Sequence, residues 1–395
     1  MIYFSTAALT ILLVGIFTSK QLIEVGQLLF FIACLKCLYD SFKSKSLALP
    51  KSAYWLLAFI GIALLSIIVN DDIISRPSIN RARLKYPLLG VLGIYFFRYW
   101  IEKSNDLTKK WVLNLFFISV IVSSIYGIVT FFTHDLRRIN GLIYTMKQGY
   151  GSAMFLILLL GLIIHRKHFQ KWLNLKLCYT TFAITFIAMT MTFTRGAMLG
   201  FLCGVPVLLY FYRKRAALIF GSISLILVFT MGGYYLFGKK NTNIRFLVTK
   251  ENTSDSNRKN IFKAALYAVK EKPLLGLGYY NFKPHVQRIR EDYNLPPIRI
   301  TEAHAHNNFL EIASGTGLIG LFAFVGWLTS WAIYSFKSYW GKALIIPFGV
   351  VFIISGMFEL TIIDSHLSAL IYIIYSISSS EFKPPSFLSS KESES

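Results

Sequence analysis

Long apolar runs constrain this chain more than any other feature of its sequence. Residues 153–165, 178–192 and 218–237 are apolar stretches that approach or reach the roughly 17–25 residues needed to span a bilayer as a helix. The chain is 55% hydrophobic and only 15% charged, whereas about 25% of the residues in an ordinary soluble domain are charged. The sequence therefore predicts an all-α polytopic membrane protein.

Apolar runs bounded by polar clusters predict about twelve transmembrane helices. They lie at residues 2–18, 21–39, 52–69, 83–99, 111–133, 147–165, 174–193, 196–212, 216–237, 307–335, 342–359 and 361–379. The predicted divisions are nine helices within 1–237, a large loop at 238–306 with short helices and an amphipathic stretch at 260–269, and three helices within 307–379. The loop is expected to form part of the active site. Residues 380–395 are rich in Ser, Lys, Glu and Pro and predict a disordered cytoplasmic tail.

Basic residues in alternate loops predict the orientation of the chain. One set of loops carries Lys43, Lys45, Lys51, Lys103, Lys109, Lys110, Arg166, Lys167, Lys171, Arg213, Lys214, Arg215, Lys337 and Lys342. By the positive-inside rule that side is cytoplasmic, so both ends of the chain lie in the cytoplasm and the large loop lies outside. The net charge of +22 then reflects this rule and attraction to anionic lipids, and we predict membrane lipids and no nucleic acid as partners.

A second group of basic residues lies on the outer side, against the positive-inside rule. Its members are Arg76, Arg81, Arg83, Lys85, Arg137, Arg138, Lys147, Arg195, Arg245, Arg258 and Lys259. Guanidinium groups bind phosphate oxygens in bidentate geometry and keep their charge at any working pH. An outward-facing cationic basin would suit a lipid-linked phosphate or diphosphate. Arg195, at the turn between two apolar helices, is its most suggestive member, and an arginine that snorkels to lipid head groups is the alternative.

Residues 302–308, EAHAHNN, lead directly into an apolar helix. A histidine at the outer mouth of a helix can act as a general base near neutral pH. His304 and His306 could instead bind a metal, although i,i+2 spacing without a further Cys/His cluster is poor ligand geometry, or could be solvated residues at the helix start. Asn307 or Asn308 is a suitable N-cap.

Three other features of the outer side each have two possible interpretations. Gly276 and Gly278 permit either a plain turn or a close backbone approach, and no strand precedes them, which excludes a dinucleotide site. Tyr279 and neighbouring aromatic residues could stack on sugars or sit in the interfacial belt. Glu359 and Asp364, between the last two helices, could orient a sugar hydroxyl or form an ion pair with an outer arginine.

Three motifs, in this order, resemble those of the O-antigen ligase and polymerase superfamily. They are TFTRGAMLG at 192–200, Arg258 ahead of PLLGLGYYNF at 273–282, and HNNFL at 306–310 followed by Gly317 and Gly320. The resemblance implies a membrane-embedded, GT-C-like, metal-independent inverting glycosyltransferase without a cofactor. Such an enzyme takes glycan from an undecaprenyl diphosphate carrier at the periplasmic face of the bacterial inner membrane.

The resemblance also implies roles for individual residues. Arg195 and Arg258 would hold the diphosphate and stabilise the leaving group, and His306 would activate the acceptor hydroxyl. The other residues expected to bind the diphosphate or sugar are Arg137, Arg138, Arg81, Arg83, Asn307 and Tyr279. No Asp-x-Asp metal site is visible in the large loop, and no metal is expected.

Three functions remain open from the sequence. We predict a ligase, whose acceptor is lipid A-core, because the short first hairpin, the chain length and the compact His-Asn-x₉-Gly arrangement are similar to the ligase form. A polymerase of O antigen or a related surface polysaccharide shares the same motifs. A transporter or flippase usually shows internal repeats and interrupted helices around a midplane site, whereas the unusual residues here collect at one face.

Overall fold

The computed structural model describes residues 1–134, 138–139, 141–222, 253–298 and 304–380, with the backbone alone at 253–256. Every regular element within these ranges is helical. The helices are α1 Ile2–Thr18, α2 Lys20–Lys43, α3 Lys51–Val69, α4 Pro77–Arg83, α5 Lys85–Lys103, α6 Asp106–Thr133, α7 Thr145–Ile164, α8 Arg166–Phe169, α9 Leu175–Met191, α10 Arg195–Tyr212, α11 Thr253–Glu271, α12 Phe282–Asp292, α13 Asn308–Phe336, α14 Ile346–Gly356 and α15 Ser365–Ser379. A π-helical turn, Gly341–Ile345, precedes α14, and residues 214–222 are also helical.

Six of the described helices are long and apolar enough to cross a membrane, namely α2, α3, α6, α7, α10 and α13. Three shorter apolar helices, Ile2–Thr18, Leu175–Met191 and Gly341–Gly356, accompany them. The prediction of an all-helical polytopic membrane protein is confirmed at this level. Each predicted helix coincides with an observed one except that at 216–237, most of which lies outside the described residues, as does the tail from residue 381.

Helix α7 lies at the centre of the bundle. Of its most apolar window, 67% is buried, against 39–56% for the other five candidate spans, and it packs on α9, α10, α14 and α15. Around it, α1 pairs with α2, α3 with α13, and α5 with α15. Glycines allow such close pairing in lipid: a Cβ on Gly15 would lie 2.6 Å from the Ile23 nitrogen of α2. Within this central helix, residues 148–151 are all buried.

Helix α13 is broken at Gly317, where the backbone takes φ +69° and ψ −172°. The loop after α11 fills the break, because Leu277 N–H donates to Ser314 O at 2.9 Å and Leu318 N–H donates to Pro273 O at 2.8 Å. Interrupted backbone at membrane depth needs such partners, since lipid offers none. The loop is thereby fixed against the helix that begins at the 304–307 segment.

The sequence left two interpretations for the glycines of this loop, a plain turn or a close backbone approach. The structure shows a close backbone approach. A Cβ on Gly276 would lie 2.6 Å from the Gly315 carbonyl carbon, and one on Gly317 would overlap the Leu274 carbonyl. Gly276 also has φ +62°, which side-chain-bearing residues rarely adopt. The glycines therefore allow the backbone of the loop to pack against the backbone of α13, and this packing explains them without a bound ligand.

Changing Gly317 to alanine is expected to destabilise the protein by about 1–3 kcal/mol, because a residue with a side chain is strained at positive φ and its Cβ would overlap the Leu274 carbonyl. The thermal unfolding temperature of the purified full-length protein in detergent measures this. Gly349→Ala is the matched control, since a Cβ there meets nothing within 4 Å. Equal unfolding temperatures for the two variants would contradict the account.

Candidate functional site

The turn between α9 and α10 brings the first arginine to the candidate site. Thr192 and Thr194 are both buried, and Thr194 N–H donates to the Thr192 hydroxyl at 3.3 Å. A Cβ on Gly149 of α7 would lie 2.8 Å from the Thr194 hydroxyl. Because small residues let the turn sit directly on the first turn of α7, Arg195 begins α10 next to that helix.

Tyr150 of α7 is the shared neighbour of the charged residues at the candidate site. Its side chain is buried, 1% exposed, and its hydroxyl interacts electrostatically with Arg195, Arg258 and Glu359. A Cβ on Gly196 would lie 2.5 Å from the same hydroxyl. The two guanidinium groups, from α10 and α11, therefore share one neighbourhood although they are distant in sequence.

His306 completes this group through a carboxylate. Its Nδ1 lies 3.2 Å and 3.3 Å from the two carboxylate oxygens of Glu359, and each side chain is 16% exposed. Burial alone would raise the pKa of the Glu359 carboxyl. The hydrogen bond and charge of His306, with the Leu360 N–H and the charge of Arg258, instead hold that pKa below its ordinary value. An ionised carboxylate in this position orients the imidazole and stabilises its protonated form.

The backbone at His306 takes φ +45°, a left-handed conformation that is uncommon for residues with a side chain and recurs at functional sites. The next residue anchors it. The Asn307 side-chain oxygen accepts from Phe309 N–H at 2.9 Å and Leu310 N–H at 3.1 Å, as an N-cap does, while its amide donates to Met357 O at 3.2 Å. The imidazole is thus presented from a fixed, strained turn.

A comparison with known protein families covers part of this site. Residues 180–325 match the family model described as O-Antigen ligase. In this segment the chain is similar to the O-antigen ligase family. The resemblance predicted from the three motifs is confirmed for residues 180–325. No curated protein matches the chain.

The segment matched to the O-antigen ligase family contains Arg195, Arg258 and His306, the three residues predicted as catalytic. The structure brings them together around Tyr150 and Glu359. It does not by itself assign their roles, which remain proposals. Glu359 lies beyond the matched segment. The sequence left open an ion pair between Glu359 and an outer arginine, and the structure instead shows Glu359 in contact with His306.

Among the other residues predicted for an O-antigen ligase site, Arg83 lies on the far side of the same turn, residues 357–364. Its Nη1 donates to Ile363 O at 3.1 Å and to the Tyr86 hydroxyl at 3.0 Å. Its guanidinium carbon lies 5.1 Å from the centre of the Tyr280 ring, within range of a cation–π interaction. Arg83 therefore braces the turn that carries Glu359.

The other predicted binding residues differ in exposure and in contacts. Arg81 and Arg138 are exposed, and Arg81 Nε donates to Pro77 O at 3.3 Å. Tyr279 is 2% exposed and packs edge-on to Phe59 with ring centres 6.0 Å apart, so it lies in the interior and not on an open aromatic surface. Arg137 lies outside the described residues. Asn307 serves as the cap of α13, as one reading of the sequence expected.

Tyr150 is the site residue that sequence reasoning missed. It lies in the first turns of an apolar helix, between Gly149 and Gly151, and the two glycines leave room for side chains of neighbouring segments. That Gly-Tyr-Gly pattern, at the outer end of a predicted span, was the available signal. Within the part of the chain that the structure describes, no group of three or more His, Cys, Asp or Glu side chains could hold a metal ion.

Proposed function

We propose that this protein is an O-antigen ligase of the bacterial inner membrane. It would transfer glycan from undecaprenyl diphosphate to lipid A-core, with about twelve transmembrane helices in a GT-C-like arrangement and a site open to the periplasm. The observation that carries the proposal is the grouping of the His306–Glu359 pair with Arg195 and Arg258. It supplies a base and fixed cations within one electrostatically connected group.

The arginines fit the donor half of the reaction. When the bond between the sugar anomeric carbon and the diphosphate oxygen breaks, the electron pair and the negative charge leave with the diphosphate. Fixed guanidinium groups directed at that oxygen lower the barrier, because they need no reorganisation as the charge develops. They also bind phosphate oxygens in the planar, bidentate geometry that suits a diphosphate.

The histidine fits the acceptor half. His306 would take the proton of the acceptor hydroxyl while that oxygen forms its bond to the anomeric carbon on the face opposite the diphosphate, which inverts the configuration. Glu359 would stabilise the resulting imidazolium, as the carboxylate does in a nucleophile–histidine–carboxylate triad. The imidazole returns to its neutral form by releasing this proton after product leaves, so one glycosidic bond forms for each diphosphate bond that breaks.

Deletion of the gene in a strain with smooth lipopolysaccharide tests the proposal. We expect bare lipid A-core on a gel and long glycan accumulated on undecaprenyl diphosphate, both restored by the wild-type gene. An O-antigen polymerase, which performs the same chemistry on another carrier-linked repeat, would instead leave core with a single repeat. Loss of carrier-linked glycan from the outer face would indicate a flippase. Either of these outcomes would overturn the ligase assignment.

A further inference from the structure

A second carboxylate, Glu311, is buried within the first turns of α13. Its side chain is 1% exposed, and one carboxylate oxygen accepts from the backbone N–H of Ala305 at 2.9 Å. A buried charge is costly unless it is well bonded, so a carboxylate here needs a reason. Many uncharged acceptors would satisfy a single backbone N–H, so the choice of a carboxylate calls for a further role.

The bond to Ala305 fixes the residue immediately before His306. Asn307, immediately after it, is fixed by its capping bonds and by its bond to Met357 O. The positive φ of His306 therefore lies between two anchors, one supplied by Glu311 and one by Asn307. With either anchor lost, the strained turn can relax and the imidazole can swing away from Glu359.

The second oxygen of Glu311 faces another histidine. It lies 3.9 Å from His304 Nδ1, and neither atom has a hydrogen-bond partner among the described residues. The His304 ring is stacked on Tyr280, with ring centres 5.5 Å apart and planes at 17°. His304 is thereby held beside the carboxylate, and a small rotation closes the gap to a hydrogen bond. Both ends of the Glu311 carboxylate thus face the 304–307 segment.

We propose that Glu311 is a positioning residue for glycosyl transfer: it holds the 304–307 segment so that His306 stays in hydrogen-bond contact with Glu359. This inference rests on the proposed function. Glu311 acts through the backbone of Ala305 and does not touch the imidazole in this arrangement. Because a misplacement of about 1 Å at a reacting group can cost about 10²-fold in rate, a residue that aims the base affects kcat more than donor binding.

A double-mutant cycle on the full-length, purified protein tests the proposal, with carrier-linked glycan and lipid A-core as substrates. We expect Glu311→Ala to lower kcat by about 10–100-fold with little change in the donor KM. Glu311→Gln should stay within about threefold, because its amide oxygen can still accept from the Ala305 N–H. In a Glu359→Gln background, Glu311→Ala should add little, since both changes act through His306.

The pH profile separates positioning from plain stability. Loss of contact between His306 and Glu359 lets the imidazole lose its proton at lower pH, so Glu311→Ala should shift the acidic limb of the kcat profile downward, as Glu359→Gln does. Among the other charged or titratable groups nearby, Arg195, Arg258 and Tyr150 stay unchanged in both variants. His304, which faces Glu311, loses that carboxylate in Glu311→Ala and in Glu311→Gln alike. An unshifted limb, or rate losses of the two variants that multiply in full, would overturn the inference.

Glu311→Asp carries the same test if the alanine variant does not fold. It keeps the charge but is one methylene shorter, so the bond to Ala305 N–H is lost, and we expect it to resemble alanine and not glutamine. A kcat for Glu311→Asp within about threefold of wild type, together with a lower kcat for Glu311→Gln, would reject the mechanism. A wild-type protein that transfers no glycan to lipid A-core would instead refute the proposed function, which makes the two failures distinguishable.

Discussion

Replacing His306 with alanine is expected to lower kcat for glycan transfer by about 10²–10⁴-fold, the usual contribution of a positioned general base. The imidazole is the group of the site that can accept the hydroxyl proton while Glu359, whose pKa is held low, stays ionised beside it. The donor should still bind, because the arginines remain. Single-turnover transfer by purified protein, together with restoration of smooth lipopolysaccharide in the deletion strain, measures the effect.

His168→Ala is the matched control for this experiment. His168 lies in α8, which follows the last turn of α7, whereas the site lies at the first turn of α7, so this change leaves the site untouched. Both variants should reach the membrane at wild-type amounts. A His306→Ala protein with kcat within about threefold of wild type, far below the usual loss of a base, would remove His306 from the reaction.

The positions of the helices were predictable because lipid imposes a simple rule. A helix that crosses a bilayer needs a long apolar run, and the observed bounds of α3, Lys51–Val69, and α7, Thr145–Ile164, follow the predicted ones closely. The short helix Pro77–Arg83 was not predicted, and for Phe282–Asp292 the sequence predicted only short helices without bounds in the loop at 238–306. They are polar, lie outside the long apolar runs and are formed by packing on neighbouring segments, which apolar length does not report.

The site was predictable as a set of residue types but not as a set of contacts. Arg195 and His306 stood out because a charge or an imidazole at a helix end is unusual. The contact between His306 and Glu359 joins residues 53 positions apart, and it depends on how the turn at 357–364 folds back over the start of α13. No local pattern encodes that distance, so the sequence left Glu359 with two possible roles.

For Tyr279, the sequence suggested a binding role that its burial in the structure does not support. An aromatic residue in an outer loop suits both a sugar platform and a packed interior. The loop's docking into the break of α13 at Gly317 decides between them, because it carries Tyr279 inward against Phe59. The Ser66 hydroxyl and the Asn80 amide also hold the Tyr279 backbone. These contacts join residues 213 and 199 positions apart, so no local pattern reports them.

Removal of one arginine is expected to cost nearly as much as removal of the base. We expect Arg258→Ala to lower kcat by about 10²–10³-fold, the usual cost of deleting one preorganised group that stabilises developing charge, and to raise the donor KM as well. Arg258→Lys should recover only part of the loss, because an ammonium keeps the charge but lacks the bidentate geometry. Steady-state kinetics with carrier-linked glycan as the varied substrate separate the two parameters.

Arg288→Ala is the matched control, because Arg288 lies in the neighbouring helix α12, is 46% exposed and pairs with Glu271 and Asp292. Its loss removes the same charge from the same region and should leave kcat unchanged. If fixed arginines neutralise the leaving diphosphate, a chelator should not affect the wild-type protein, and divalent cations should not rescue Arg258→Ala. Rescue of Arg258→Ala by a divalent cation would mean that a metal can take the place of the guanidinium. An equal loss of kcat in Arg288→Ala would mean that overall charge, and not the position of Arg258, accounts for the effect.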